Sequence, residues 1–390
     1  MFEALLSSAL QAVAAIISFA TVLTWLWMIF RRKMALRGFE KLGGTCESMD
    51  TLVSVVVPGR NVEGWVDSCL PTLLAQRNVW KEVIFVDDDS ADGTSRMVLE
   101  KYVPRGVRYL RLGWRPDRWL GKNWACWRGY QYSSGDWLLF IDADTVLFDG
   151  CVIADALSYA ERNNLDALSL NPLLDTRALS SKIMLPLLQN ILWSFFRPIR
   201  TNSPETATPF LFGAFILIRR RVYEDIGGHE AIKERILDDR ALAQFLKQRR
   251  YRALLLDGSK RFGAEFAGSL SGYLGAVKRL MADYAYTGNI KLLKYYIVGA
   301  VIQLLFPHVA FLAALVLRDS LLLLVAGASI ILNMLSNYLE VRRLGVRNGL
   351  IYVPLTLAAN WILTASLITA QLSIRRGRVV FSWRGRKIET

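Results

Sequence analysis

Leu138-Leu139-Phe140-Ile141-Asp142-Ala143-Asp144 is an apolar run that ends in two carboxylates two residues apart. Four large apolar residues in succession read as a strand covered on both faces. Side chains alternate along a strand, so Asp142 and Asp144 fall on one face at its C-terminal end. Two ionised carboxylates about 5 Å apart repel by roughly 3 kcal/mol at an effective dielectric near 20, so such a pair asks for a cation. A hard divalent ion that grips a diphosphate meets that need. Taken alone, the same D-x-D also reads as a surface turn whose Asp residues cap the next element.

Working outward from this strand, short β-rich runs alternate with amphipathic helical stretches, the pattern of a parallel α/β sheet. Leu52 to Val57 is a strand, followed by Pro58-Gly59-Arg60-Asn61 and a helix from Glu63 to Ala75. Val83 to Val86 is the next strand and ends in Asp87-Asp88-Asp89-Ser90, with Asp92-Gly93-Thr94 opening a helix to Tyr102. Val107 to Leu110 is a third strand, Lys122 to Tyr130 a helix, and Trp137 to Ile141 delivers the D-x-D. Downstream, Ile153, Ala156, Leu157 and Ala160 recur at helical spacing, and Ala167 to Leu170 and Phe212 to Ile218 return as strands. Leu242, Phe245 and Leu246 mark the buried face of a helix that starts near Asp239.

Ligands of an open parallel sheet bind at the carboxyl ends of its strands, where Arg60, Asp87, Asp88, Asp142 and Asp144 all fall. The acidic end of the second strand suits a nucleotide's ribose or base, and it equally suits an Asp-rich turn with Asp92 as helix N-cap. A second carboxylate pair, Asp238-Asp239, directly precedes an amphipathic helix. One of the two can simply N-cap that helix. The other use of the pair is as a general base. Inverting displacement at an anomeric carbon needs one carboxylate to activate the acceptor hydroxyl opposite the leaving group. The leaving diphosphate is then neutralised by the metal at Asp144, with Lys122 or Arg60 as helpers. The chain has no P-loop and no G-x-G-x-x-G, which disfavours a Walker NTPase and a dinucleotide dehydrogenase.

Composition places this domain on a membrane. The chain has 390 residues, 53% of them hydrophobic and only 21% charged. Ala4 to Phe30 carry no charge and end at Arg31-Arg32-Lys33, which reads as a transmembrane anchor over residues 1–30. A signal peptide is the rival, but the run lacks a basic n-region and a small-residue cleavage site. Three further spans are expected near 297–317, 320–339 and 350–373, within a membrane region 297–374 and ahead of a basic tail, 375–390. Residues 265–296 are amphipathic, either an interfacial helix beside the site or a plain surface helix. The positive-inside rule puts residues 31–296 in the cytoplasm, at the cell membrane; the arginines of the tail run against the rule unless the segment holding Pro307-His308 fails to cross. A net charge of +14 reads as membrane-surface attachment plus an anionic substrate. Neither a nucleic-acid-binding motif nor a continuous basic stripe is present, so no nucleic-acid partner is expected. Cys46, Cys69, Cys126 and Cys151 have no C-x-x-C spacing and read as free thiols in a reducing compartment. Only His229 and His308 are available, so carboxylates must carry the chemistry.

Five stretches in order resemble family-two glycosyltransferases: Val53 to Asn61, Val86 to Thr94, Trp119 to Ala125, Gly135 to Thr145, and Ile218 to His229 continued by Leu237 to Ala243. The G-K-x-W-A element and the G-G-H-E-A-I block resemble the membrane-bound branch with hopanoid-, carotenoid- and ceramide-type glycosyltransferases. The likeness covers residues 51–260. It implies a GT-A fold, a Rossmann-like nucleotide-sugar-binding domain, with one N-terminal and about three C-terminal transmembrane helices. It also implies a nucleotide-diphosphate sugar donor, Mg2+ or Mn2+ at the D-x-D, and inversion by a single displacement. Carried over by position, Asp142 and Asp144 are the metal and diphosphate residues. Pro58, Arg60, Asp87, Asp88, Lys122 and Asp142 bind the nucleotide sugar, and Asp239 is the catalytic base beside Asp238. Three positions depart from the family pattern: Val62 in place of an acidic residue, Asp238 in place of Glu, and Phe212-Gly213-Ala214 where relatives carry Gly-Gln. With no Q-x-x-R-W block after Asp239, transfer of one sugar to a membrane lipid is expected over polymer synthesis. Polyprenyl phosphate is the alternative acceptor, and a non-catalytic membrane scaffold or transport component the alternative class.

Overall fold

The computed structural model describes residues 2–196, 198–203, 210–286, 290–375, 380–383 and 386–389. Arg376, Arg378 and Arg384 of the basic tail, and residues 287–289 of the amphipathic stretch, lie outside them.

The strands are β1 (Met49–Gly59), β2 (Val79–Asp87), β3 (Val107–Arg111), β4 (Trp137–Phe140), β5 (Thr145–Leu147), β6 (Ala167–Asn171), β7 (Leu173–Leu174), β8 (Ile216–Arg219), β9 (Ala253–Asp257), β10 (Phe262–Ala264), β11 (Val380–Trp383) and β12 (Arg386–Glu389). The helices that matter below are α1 (Phe2–Arg37), α2 (Glu63–Leu74), α3 (Thr94–Met97), α4 (Gly121–Gln131), α5 (Val152–Arg162), α6 (Leu179–Ile191), α7 (Arg220–Asp225), α8 (Gly228–Ala231), α9 (Asp238–Gln248), α10 (Leu270–Tyr286), α11 (Ile290–Ala300), α12 (Phe306–Leu317), α13 (Ser320–Arg343) and α14 (Thr356–Arg375).

Among the described residues the main sheet runs β3-β2-β1-β4-β8-β6-β9. Strand β1 shows why its core is unbroken valine. Val53, Val55 and Val57 face α2 and α5, while Val56 faces the opposite core with Ile84, Val86, Leu138, Phe140 and Leu242. With both faces covered, Val55, Val56 and Val57 follow one another with no polar residue between them. The wholly parallel sheet expected from the β/α alternation is corrected to a mixed one. Strand β8 runs antiparallel to both its neighbours, β4 and β6. The chain leaves after β7, makes an excursion through α6, and re-enters at the carboxyl end of β4, so its next strand must run back. The strand expected over 212–218 is also shortened to Ile216–Arg219. Phe212 is instead bonded through its N–H and C=O to Ser169 Oγ (2.8 and 3.2 Å), and Gly213 turns toward the site.

Among the described residues, four helices are long and apolar enough to cross a membrane: Ser8–Arg37, Lys294–Leu317, Ser320–Arg343 and Thr356–Ile374. The second continues through Pro307, because a π-turn at Val301–Leu305 absorbs the missing backbone donor. Helix α6 was not foreseen in the sequence. Together with a π-turn at Leu192–Phe196 it packs among α1, α13 and α14. Ser194 Oγ donates to the Met28 carbonyl (3.1 Å), and Asn190 donates to Asn337 (2.8 Å). At one end of this bundle the fully buried Glu340 carboxylate is paired with Arg32 of α1 and, at 2.6 Å, with Arg343, which also donates to Gln189 of α6 (2.9 Å). Removing one partner of a buried pair leaves uncompensated charge. Glu340→Ala is therefore expected to cost about 3 kcal/mol of stability, read as a lowered thermal unfolding midpoint in detergent.

The reading of four free thiols is corrected. Cys46 and Cys151 form a disulfide with Cα atoms 5.3 Å apart, while Cys69 and Cys126 are free and buried. The segment after α1 folds back over the start of α5, where the Thr45 and Cys46 N–H groups donate to Asp155 Oδ1 (3.0 and 2.8 Å). A separation of 105 residues left no local spacing to signal the pair. The composition argument for a reducing compartment thus loses two of its four thiols.

Candidate active site

Two strand ends build the first wall. Arg60, after β1, donates to the backbone carbonyls of Asp88 and Asp89, the latter at 2.7 Å, and so straps the first loop to the second. Asp87 is fully buried and accepts from Ser90 N–H (2.8 Å), Tyr109 Oη (2.7 Å) and Ser95 Oγ. Its carboxylate shapes the loop from within. Asp92 also takes up turn work, accepting from Thr94 N–H (3.0 Å) and Glu63 N–H (3.2 Å). Asp88 is nearly as buried and lies against the start of α4: a Cβ on Gly121 would sit 2.4 Å from its Oδ2. Glycine there lets α4 approach the acidic loop. Pro58 is buried in β1 between these two loops.

Lys122, the next residue of α4, is the centre of the site. Its Nζ lies 2.9 Å from Asp142 Oδ1 and 3.1 Å from Asp238 Oδ2. One ammonium therefore joins the D-x-D after β4 to the carboxylate pair that opens α9. Both carboxylates hold the lysine in its charged form against the opposing effect of burial. Asp144 is half-buried; its backbone carbonyl accepts from Glu265 N–H at 3.3 Å, and Trp65 Nε1 donates to the Glu265 carboxylate at 3.0 Å.

The α9 pair is unequal. Asp238 lies 3.9 Å from His229 Nε2, and although burial works to raise its pKa, Lys122 and His229 hold it below the usual carboxylate range. Asp239 accepts from the backbone N–H groups of Arg240 (2.6 Å) and Gly213 (3.2 Å). Burial first, then the negative charge of Asp238, raise it to about 7. Two adjacent carboxyl groups whose environments drive them apart suit an ionised anchor and a proton acceptor near neutrality.

Residues to which the sequence reading gave no role complete this arrangement. Buried His229 is oriented by Tyr223, whose hydroxyl accepts from the His229 N–H (3.0 Å) and lies 2.8 Å from Nδ1. With that hydroxyl donating to Nδ1, the ring proton sits on Nε2, facing Asp238. Asn123 donates to the carbonyls of Ile232 (2.8 Å), Lys233 (3.2 Å) and Arg235 (3.0 Å) and so anchors the segment before α9 to α4. The signal for His229 was present in the G-G-H block. Gly213 had none, since its role is one backbone N–H; a Cβ there would come within 3.3 Å of Lys122 Nζ.

Among the described residues no group of three or more His, Cys, Asp or Glu side chains gathers to hold a metal ion. A pair of carboxylates fits an octahedral ion that takes its remaining oxygens from phosphates and water. Asp142 already draws a cation, Lys122, and Asp144 is half-exposed beside it. Asp142 and Asp144 therefore fit as the protein's share of such a site.

Residues 54–227 match the model of the family described as Glycosyl transferase family 2. The chain is similar to 4,4'-diaponeurosporenoate glycosyltransferase of Staphylococcus haemolyticus, with 31% identity over 150 residues, 37% of this chain and 38% of the relative. The protein of the same name from Staphylococcus aureus is 25% identical over 198 residues, 49% of this chain and 50% of the relative. The chain thus spans half or less of the length of these curated relatives. Among solved structures, mannosyltransferase PcManGT from Pyrobaculum calidifontis, in complex with GDP-Man and Mn2+, superposes with a TM-score of 0.55 at 19% identity, over 93% of this chain and 98% of that one. At that identity the likeness is one of fold, and the fold is the GT-A type.

Proposed function

We propose that this chain, whose residues 54–227 match the Glycosyl transferase family 2 model, is a family-two glycosyltransferase that transfers one sugar from a nucleotide-diphosphate sugar to a membrane lipid with inversion at the anomeric carbon. The observation that supports this reading is the Lys122 bridge: one ammonium within 3.1 Å of both Asp142 and Asp238 joins the D-x-D to the carboxylate pair, as a displacement with a diphosphate end and a base end requires. The carotenoid-type names of the relatives and the four apolar helices support a lipid acceptor. The basic clusters after α1 and α13 favour the cytoplasmic face of the cell membrane for the catalytic domain.

In this mechanism Arg60 and Asp88, with Pro58 and Asp87 behind them, bind the nucleoside. Asp142 and Asp144 would hold Mg2+ or Mn2+, which when bound neutralises charge on the diphosphate. Asp239 accepts the proton of the acceptor hydroxyl as its oxygen forms the new bond to the anomeric carbon. The bond from that carbon to the diphosphate breaks, and nucleoside diphosphate leaves with Lys122 beside it. Asp238 stays ionised, held by Lys122 and His229, and keeps Asp239 basic.

The test is release of nucleoside diphosphate from a panel of nucleotide sugars by detergent-purified protein, with Mg2+ or Mn2+ and total membrane lipid. Lipid-dependent turnover, with the sugar recovered on a lipid hydroxyl or carboxyl, supports the reading. Recovery on polyprenyl phosphate, with activity indifferent to Asp239→Asn, would replace it, because a phosphate acceptor already carries a nucleophilic oxygen. No turnover of any donor would refute it.

A pH profile gives a second check. The base form of Asp239 grows as pH rises through about 7, so kcat/KM should climb over that range and level off above it. Asp238→Asn removes the neighbouring negative charge that raises Asp239, and should move this limb to lower pH. An unmoved limb would count against Asp239 as the titrating base.

A further inference from the structure

The segment from Ile232 to Arg240, which carries both α9 carboxylates, is gripped from two sides. On the donor side, Asn123 takes three of its carbonyls, and Leu120 N–H donates to Lys233 O at 2.8 Å. On the other side lies Asp283, a fully buried carboxylate near the end of α10, which packs along α14, a helix long and apolar enough to cross a membrane. Its Oδ1 is 3.7 Å from Arg235 Nε, and its Oδ2 is 3.5 Å from a terminal guanidinium nitrogen of Arg240. Each oxygen faces a different arginine. One arginine precedes the carboxylate pair and the other follows it, and the backbone N–H of Arg240 donates to Asp239 itself.

We infer that Asp283 is a positioning residue: by bridging Arg235 and Arg240 it sets the base Asp239 against the membrane-side helix, from which a lipid acceptor presents its hydroxyl. The inference rests on the glycosyltransferase reading above for the role of Asp239, but the bridge itself is independent of it. A carboxylate without solvent requires counter-charge, and at these separations the attraction is ionic rather than a fixed hydrogen bond. The bridge therefore constrains position while tolerating small adjustments.

The experiment is a double-mutant cycle on the full chain in detergent or nanodiscs, with Asp283→Asn, Arg240→Gln and the pair combined. Asp283→Asn keeps volume and removes charge. Each single variant is expected to lose about tenfold in kcat/KM for the acceptor, with donor KM within about twofold, and the double variant to lose no more than about twentyfold, because both changes break one bridge. Losses that multiply to about a hundredfold would show that the two residues act separately and overturn the bridge. Hydrogen exchange supplies the readout that needs no turnover. Asp283→Asn should speed amide exchange over residues 232–241 while leaving α2, on the donor side, unchanged. Unchanged exchange at 232–241 overturns the inference even if activity falls. If wild-type protein turns over no donor, the functional reading fails, and the exchange result alone decides the bridge.

Discussion

Asp239→Asn should lower turnover for sugar transfer by about a thousandfold while leaving donor KM within about twofold of wild type. The size follows from what the residue does. Loss of a positioned general base gives up its share of barrier lowering, whereas the donor contacts proposed above, after β1, β2 and β4, are untouched. The substitution keeps one of the two backbone donors to the side chain satisfied, because the amide oxygen can accept from Gly213 or Arg240 while the amide nitrogen cannot, and one lost hydrogen bond costs only about 1–2 kcal/mol. Folding should therefore survive, and the defect should lie in kcat alone. Nucleoside diphosphate release measured with and without lipid separates the effects: acceptor-dependent release collapses, and slow acceptor-independent hydrolysis persists. A variant that keeps more than a tenth of wild-type transfer would remove Asp239 from the mechanism.

Lys122→Met should fail twice, in stability and in activity. Its ammonium is the shared counter-charge of Asp142 and Asp238, and the three side chains are 23%, 32% and 12% exposed. Methionine fills the same space with no charge and leaves two carboxylates facing each other beside Asp239. Breaking a buried ion pair costs about 3–5 kcal/mol; partial solvent access to Lys122 and Asp142 places the expectation at about 2 kcal/mol. The thermal midpoint should fall by several degrees. Activity should fall by about a hundredfold or more, because on the proposed mechanism the leaving diphosphate loses the Lys122 ammonium. A direction can also be given for divalent ions. With Lys122 gone, Asp142 is left with a stronger need for a cation, so added Mg2+ should recover part of the lost stability in Lys122→Met and little in wild type. A variant as stable as wild type without added ions would mean that Lys122 carries none of this charge balance.

The strands and the two carboxylate pairs were legible because their signals are local. Unbroken valine and leucine mark strands covered on both faces, and the D-x-D and D-D pairs sit where a strand ends and a helix begins. What could not be read belongs to residues far apart in the chain. The reversal of β8 follows from where the α6 excursion returns, which no run of alternating residues reports. The Cys46–Cys151 pair closes over 105 residues. Gly213 contributes a backbone N–H, which is the same in every residue but proline, so its identity conveys only the need for space. Asp87 was read as a nucleoside contact; its three internal donors show how far an acidic turn spends its acceptors on its own loop. His229 stood in a recognisable block but was given no role, because only the fold brings Asp238 to its ring.

Helix α6 bears on how such a protein can be handled. It arises between β7 and β8, among the strands, yet it packs against α1, α13 and α14. Cutting the chain after α1 and before α11 would therefore not release a water-soluble enzyme. The fragment would keep an apolar helix stripped of its neighbours, and Gln189 and Asn190 would lose Arg343 and Asn337. Such a fragment should aggregate or demand detergent, and excising α6 instead would sever the connection that returns β8 to the sheet.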